Sequence, residues 1–356
     1  MAIVQFEHRP GILDLGWGHP RPSLLPVEAW ARAGSEALQE YGWQALTYGH
    51  AAGPAPLVDW IAAHVGDASP EQTFVTAGAS HALALVTPLL ARPGDVVLVD
   101  SPTYHLAFPI LRDAGVRLAP APADEHGVLP AKVAKIGAAF LYLVPTFGNP
   151  TGRSLPLDRR RELVELGLPI VEDDTYRELF YGAAPPPALW RLGRGENVVR
   201  LGSFAKTVAP GLRLGWVNAA PSLIARLTGL GYVHSGGGVN HSVAMTMARF
   251  GASGAYAKHL THVRERYRQQ RDALGLGPKP GGGWFVWLRL PSGVDAATLL
   301  PVAERHGTSF VPGSAFHVDG DNGHDHVRLS FSHLPPDELT EAARRLTAAI
   351  RSVSGH

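Results

Sequence analysis

Short apolar runs alternate with longer amphipathic stretches through the first two-thirds of the chain. Thr73–Thr76, Val96–Val99, Val116–Ala119, Ala139–Val144, Pro169–Glu172, Val198–Leu201 and Leu214–Val217 are brief and rich in β-branched or aromatic residues, and they read as strands. Between them, Ser80–Ala91, Thr103–Ala114 and Asp158–Leu166 carry helical spacing. The strand runs are apolar throughout, not alternating, which predicts burial on both faces. This β–α alternation predicts an α/β fold with a mostly parallel sheet flanked by helices. From Ser242 the pattern turns helical as far as Leu274. Trp284–Leu290 then alternates as a strand, Ala296–Arg305 reads as a helix and Val327–Phe331 as a strand. A last helix, Asp337–Ile350, sets Leu339, Leu346 and Ile350 on one face after the start signal Pro335-Pro336. This change of pattern suggests three parts: a proline-rich segment, residues 1–28, packing on the C-terminal part; a large unit, residues 29–262; and a smaller α+β unit, residues 263–356.

Composition narrows the classes of function. A chain of 356 residues can bury a substantial core. With 45% hydrophobic residues, 18% charged residues and a formal net charge of +1, nothing favours nucleic acid or an anionic membrane as a partner. The absence of cysteine excludes disulfides and thiolate metal sites. The start of the chain lacks a basic segment followed by an apolar one, and Ala82–Ala91 is too short for a membrane span and contains Pro88, so a cytoplasmic protein is expected. The 30 prolines and 40 glycines are dispersed, as turn and cap residues are.

In α/β sheets, ligands collect at the carboxyl ends of strands. The most informative of these ends is Ser203-Phe-Ala-Lys206-Thr-Val-Ala-Pro-Gly-Leu-Arg213. A lysine following a buried strand must be paired, deprotonated or used covalently. A Schiff base between Lys206 and an aldehyde cofactor fits, with Ser203 and Arg213 holding the cofactor's phosphate. A surface lysine on a loop fits the local sequence equally well. Ala77-Gly-Ala79-Ser80 opens a helix and could cradle a phosphate on its free N–H groups, or serve as an ordinary cap. Asn149-Pro-Thr-Gly152 fits a plain turn. Asp173-Asp174 joins two acids at a strand end, an expensive arrangement unless one meets a cation, such as a protonated pyridine nitrogen. His324-Asp-His326 reads as a solvated loop, not a metal site, and Gly281–Gly283 lacks the lysine of a phosphate-binding P-loop.

Taken in order, these segments resemble the class I/II aminotransferases among the fold-type I pyridoxal-phosphate enzymes. Tyr48-Gly, Gly282-Gly-Trp-Phe-Val-Trp287, Val311-Pro-Gly-Ser-Ala-Phe316 and Val327-Arg328-Leu-Ser extend the likeness over nearly the whole chain. It is nearest to the 2-aminoadipate and aromatic aminotransferase subgroup and to the related effector domains of bacterial regulators. The resemblance implies a large domain with a mostly parallel sheet, a smaller α+β C-terminal domain, and pyridoxal 5′-phosphate as cofactor. It also implies amino acid and keto acid substrates and a homodimer with shared active sites. Lys206 would form the Schiff base and move a proton between substrate and cofactor, through an external aldimine and a quinonoid. Asp173 would pair with the pyridine nitrogen, Tyr176 and Asn149 would bond the phenolic oxygen, and Tyr104 would stack on the ring. Ala79, Ser80, Ser203 and Arg213 would hold the phosphate, with Tyr48 reaching it from the partner subunit. Arg328 would bind the substrate α-carboxylate, and Asn149-Pro150 would be a cis peptide.

Some positions depart from the pattern. Gly148 stands where glutamine is usual, Trp284 where methionine is common, and Ser235–Asn240 is unusually rich in glycine. The N-terminal arm is expected to be short, and no second arginine for a dicarboxylate side chain can be placed. These changes weaken aspartate or 2-aminoadipate specificity and are expected to open the site to a bulky or unusual amino acid. The same scaffold would also allow elimination, cyclisation or oxidative deamination, or a cofactor-binding sensor without turnover.

Overall fold

The protein is described by a computed structural model covering residues 9–236 and 238–354. The first eight residues of the N-terminal segment, Gly237 of the glycine-rich loop and the last two residues of the C-terminal unit lie outside the described residues.

Seven strands form the central sheet. Their order is Thr73–Thr76, Gly215–Asn218, Val198–Ser203, Ile170–Asp173, Phe140–Leu143, Val96–Val99 and Arg117–Pro120. Gly215–Asn218 runs antiparallel to both neighbours, and the other pairings are parallel. The interior strands are buried along almost their whole length, as continuous apolar runs require when helices cover both faces. Three glycines let backbone and rings close in beside the site. A Cβ on Gly202 would lie 2.1 Å from the Trp216 ring, and one on Gly215 would lie 3.0 Å from the Gly78 Cα. These contacts admit no side chain larger than hydrogen.

A second sheet, antiparallel, joins Phe285–Arg289, His326–Ser330 and Val311–Pro312. Helices Ala296–Arg305 and Pro336–Ser354 accompany it. The latter buries Leu339, Ala342, Ala343, Leu346 and Ala349, an amphipathic stripe at helical spacing. Near the N-terminus, Leu13–Asp14 pairs in parallel with Thr308–Ser309, so this stretch is tied to the C-terminal part.

The strand expectations hold to within a residue or two at their ends. The helix expected over Thr103–Ala114 is shorter, Ala107–Asp113, because Thr103–Leu106 forms the turn that lines the site. The single helical stretch expected from Ser242 to Leu274 is two helices, His241–Ala252 and Ala255–Leu274. Gly254 between them adopts φ +79°, a left-handed conformation that stops the first helix. The boundary read at 262/263 lies inside the continuous second helix. The helices Val27–Tyr41, Ala55–Val65 and Pro221–Thr228 were not foreshadowed by the apolar pattern. Among the described residues, no helix is long and apolar enough to cross a membrane.

Candidate active site

A cavity of about 870 Å³ opens where the carboxyl ends of the central strands meet the smaller antiparallel sheet. Ten of the eleven residues singled out in the sequence border it: Ala79, Ser80, Tyr104, Asn149, Asp173, Tyr176, Ser203, Lys206, Arg213 and Arg328. The eleventh, Tyr48, lies elsewhere. It is 85% exposed and borders a separate cavity of about 380 Å³ with Gly236, Asn240 and His241.

Lys206 follows the strand Val198–Ser203 and projects along the cavity floor. Its Nζ lies 4.8 Å from the centre of the Trp284 ring and 5.9 Å from that of Tyr176. Among the described residues its one hydrogen bond is long, 3.5 Å to the Gly18 carbonyl. Desolvation lowers its pKa to about 8, partly countered by the Asp173 carboxylate and reinforced by the charges of Arg328 and Arg213. The side chain retains some accessible surface because it borders the cavity, yet protein encloses it on the other sides. A neutral amine is therefore within reach near physiological pH.

Asp173 ends the strand Ile170–Asp173 and is almost fully buried. Its Oδ2 accepts from Tyr142 Oη at 2.9 Å, and Oδ1 accepts weakly from the Thr175 amide at 3.4 Å. Among the described residues no cation pairs with it, and burial pushes its pKa up. Asp174, its neighbour, points the other way and pairs with Arg200 at 3.0 Å and with Arg177 at 3.7 Å. The two adjacent acids are thus divided: one is neutralised beneath the sheet, and the other is left facing the cavity. Such a buried carboxylate suits a ligand that brings its own positive charge.

Arg328 presents the opposite case. Its guanidinium is buried, stacked 4.4 Å from the Phe285 ring centre and 4.9 Å from that of Phe316. It donates to Asn149 Oδ1 at 3.1 Å and to the Gly16 carbonyl at 2.6 Å, while among the described residues its Nε finds no partner. Burial lowers its pKa to about 10, so it remains charged at neutral pH with no carboxylate paired to it among the described residues. An anionic ligand group would supply the missing charge.

At the far end, helix Ala79–Leu90 begins after Gly78, whose φ is +96°. A Cβ there would lie 3.0 Å from Arg213 Nη2, so the guanidinium sits tight over a bare backbone. Ser203 Oγ accepts from the Ala205 amide at 3.1 Å and keeps its own hydrogen to donate. Unfilled amides at a helix start, a hydroxyl and a guanidinium make a phosphate cradle. Tyr104 stands between the two ends, its phenol pushed up to about 12 by burial and the nearby Asp173. Burial pushes the Tyr176 phenol up further. The cavity therefore presents, in sequence, a phosphate cradle, an unpaired carboxylate, a soft lysine and an unpaired guanidinium, which fits pyridoxal phosphate together with an amino acid.

Several site residues escaped sequence reasoning. Tyr142 sits in an apolar run and reads as core, but the parallel register places it opposite Val171, beside Asp173. The segment from Asp14 to His19 carries no motif, yet it covers one side of the cavity. Its Gly16 and Gly18 carbonyls accept from Arg328 and Lys206, and a Cβ on Gly18 would lie 2.9 Å from the Phe285 ring. Two departures from the family pattern, Gly148 and Trp284, do not open the cavity as expected. Gly148 does not border the cavity; a Cβ there would lie 2.7 Å from the Val144 carbonyl oxygen, so the tight turn around it demands glycine. Trp284 is fully buried behind Lys206, and Gly236, Gly238, Val239 and Asn240 border the separate cavity beside Tyr48. Neither Gly148 nor Trp284 borders the cavity in this chain. Asn149-Pro150 is cis, as is Ser101-Pro102.

The model of the aminotransferase class I and II family matches residues 10–346. The 2-aminoadipate transaminase of Thermus thermophilus is 34% identical, over 99% of this chain and 93% of the relative. Aromatic-amino-acid aminotransferase 1 of Thermococcus litoralis is 30% identical, over 98% and 90%. Among solved structures, the α-aminoadipate aminotransferase LysN from Thermus thermophilus, complexed with N-(5′-phosphopyridoxyl)-L-leucine, superposes with a TM-score of 0.89 at 34% identity, covering 97% of this chain and 94% of that one. The chain therefore belongs to the class I and II aminotransferases and is a pyridoxal-phosphate-dependent enzyme of fold type I.

Proposed function

We propose that the cavity between Arg213 and Arg328 is the transamination site, with Lys206 as its covalent and proton-moving residue. The observation that carries this reading is the line of complementary groups in one cavity: helix start, Asp173, Lys206 and Arg328. Bound there, pyridoxal phosphate supplies an aldehyde carbon for an amine and a protonated ring that draws electrons from the substrate Cα. Ala79, Ser80, Ser203 and Arg213 hold the phosphate. Asp173, steadied by Tyr142, keeps the ring nitrogen protonated. Tyr176 and Asn149 donate to the phenolic oxygen, and Tyr104 stacks against the ring. Arg328 grips the substrate α-carboxylate, and Asn149 holds that guanidinium in line. The Lys206 amine, softened by burial, would take the proton from the substrate Cα and hold it on Nζ for return. The strap from Gly16 to His19 excludes water from this exchange.

The reading includes a homodimer. Trp43, Leu46, Tyr48 and Tyr232 are between 60% and 85% exposed, and such large apolar side chains on one region favour an interface. Tyr48 then reaches the phosphate of the partner's site. The reading also keeps a large unit and a smaller C-terminal unit, with the cavity at their junction.

Titrating the holoenzyme with single amino acids, without keto acid, tests the proposal. The cofactor's visible band should convert stoichiometrically to the pyridoxamine form and stop after one half-reaction, and Arg328→Lys should raise the amino acid concentration needed by about 100-fold. Continued turnover with ammonia release, or full retention of amino acid affinity in Arg328→Lys, would contradict it.

A further inference from the structure

A fourth non-histidine cation borders the cavity, and transamination has no use for it. Arg9 lies at the rim and is held by two carboxylates: Asp14, and Glu304 at 2.5 Å. Each carboxylate is fixed independently. Asp14 belongs to the strand paired with Thr308–Ser309, and its Oδ1 accepts from the Gly16 amide at 2.7 Å. Glu304 stands on helix Ala296–Arg305 and accepts from Ser309 Oγ at 3.2 Å. One cation between two fixed anions leaves the cluster with a net negative charge.

We propose that Asp14 and Glu304 set substrate specificity by occupying Arg9, so that the site favours α-amino acids with apolar or aromatic side chains over those with acidic ones. This inference rests on the reading of Arg328 as the α-carboxylate site. Among the described residues, the lysine and arginines bordering the cavity are Arg9, Lys206, Arg213 and Arg328, and the last three serve the reaction and the phosphate. A side-chain carboxylate would therefore approach an Arg9 whose charge is already paired with two carboxylates, and would meet the repulsion of two anions. The rest of the rim is suited to carbon: Trp17, Leu106, Phe310 and Val311 border it. His105 beside them is kept neutral by burial, its pKa near 4, so it adds no positive charge at neutral pH. An aromatic side chain buries apolar area there without desolvating a charge.

Calorimetric binding of two non-reacting carboxylates to the holoenzyme tests the inference. 3-Phenylpropionate should bind at least about tenfold more tightly than glutarate. Glu304→Gln and Asp14→Asn should each improve glutarate binding by about fivefold relative to 3-phenylpropionate, because each frees a donor on Arg9. The amide oxygen of the Asn variant can still accept from Gly16, so the strap keeps its anchor. Glutarate binding as tightly as 3-phenylpropionate in the native protein, or a ratio unmoved in both variants, would overturn the inference. Arg328→Lys separates the two layers of the argument, since it should weaken both ligands alike. If it weakens neither, the α-carboxylate reading falls and takes this inference with it; if it weakens both while glutarate is preferred, only this inference falls.

Discussion

At the scale of single residues, the site is built from groups that the fold leaves electrostatically incomplete. Among the described residues no cation pairs with Asp173 and no anion with Arg328, and Lys206 is held in surroundings that disfavour its charge. The last point gives a pH prediction. In cofactor-free protein the Lys206 ammonium dominates below about pH 8 and the free amine above it, so amine labelling at Lys206 should accelerate as pH rises through about 8. Asp173 is the neighbour that favours the ammonium, so Asp173→Asn should move the inflection to lower pH. An inflection near the ordinary lysine value, or no response to Asp173→Asn, would mean that Lys206 is not buried beside that carboxylate. Lys206, Asp173 and Arg213 were legible because a lysine and paired acids at strand ends are chemically conspicuous. Arg9, Asp14 and Tyr142 were not: a tyrosine in an apolar run looks like core, and an arginine near the chain start looks like surface. Arg9 and Asp14 are five residues apart, but Tyr142 meets Asp173 across 31 residues and Arg9 meets Glu304 across 295.

At the scale of elements, glycines decide how closely the pieces of the site approach. Gly202 is the sharpest case, because its missing side chain is replaced by the Trp216 ring. Gly202→Ala should lower unfolding free energy by about 2–3 kcal/mol in denaturant titration, as overpacking does when backbone and ring must move apart. An unchanged midpoint would show that the sheet yields there without cost. Gly78→Ala combines a positive φ with a contact to Arg213, and should weaken cofactor binding by about tenfold or more in equilibrium titration. Strands were easy to read, since a run such as Val96-Val-Leu-Val99 has few other solutions. The helix Val27–Tyr41 was harder, because its fully buried residues are only Ala33 and Ala37, which give a weak apolar signal. The break at Gly254 needs a left-handed residue that periodicity does not reveal.

At the scale of the whole molecule, composition gave no hint of assembly, and the surface carries the argument. Trp43, Leu46 and Tyr48 project around the 3₁₀ turn Gly42–Leu46, with Tyr232 also exposed. The double substitution Trp43→Glu and Leu46→Glu should convert the proposed dimer into a monomer in sedimentation velocity, with loss of cofactor affinity because Tyr48 would then reach no partner site. A native protein that sediments as a monomer at micromolar concentration would remove Tyr48 from the account. The central claim concerns a single atom, Lys206 Nζ. Reducing the cofactor-loaded protein with borohydride and mapping its peptides by mass spectrometry tests that claim most directly. The account predicts one pyridoxyl-phosphate adduct per chain, on Lys206, and none in Lys206→Ala. An adduct on another lysine, or undiminished labelling of Lys206→Ala, would contradict it.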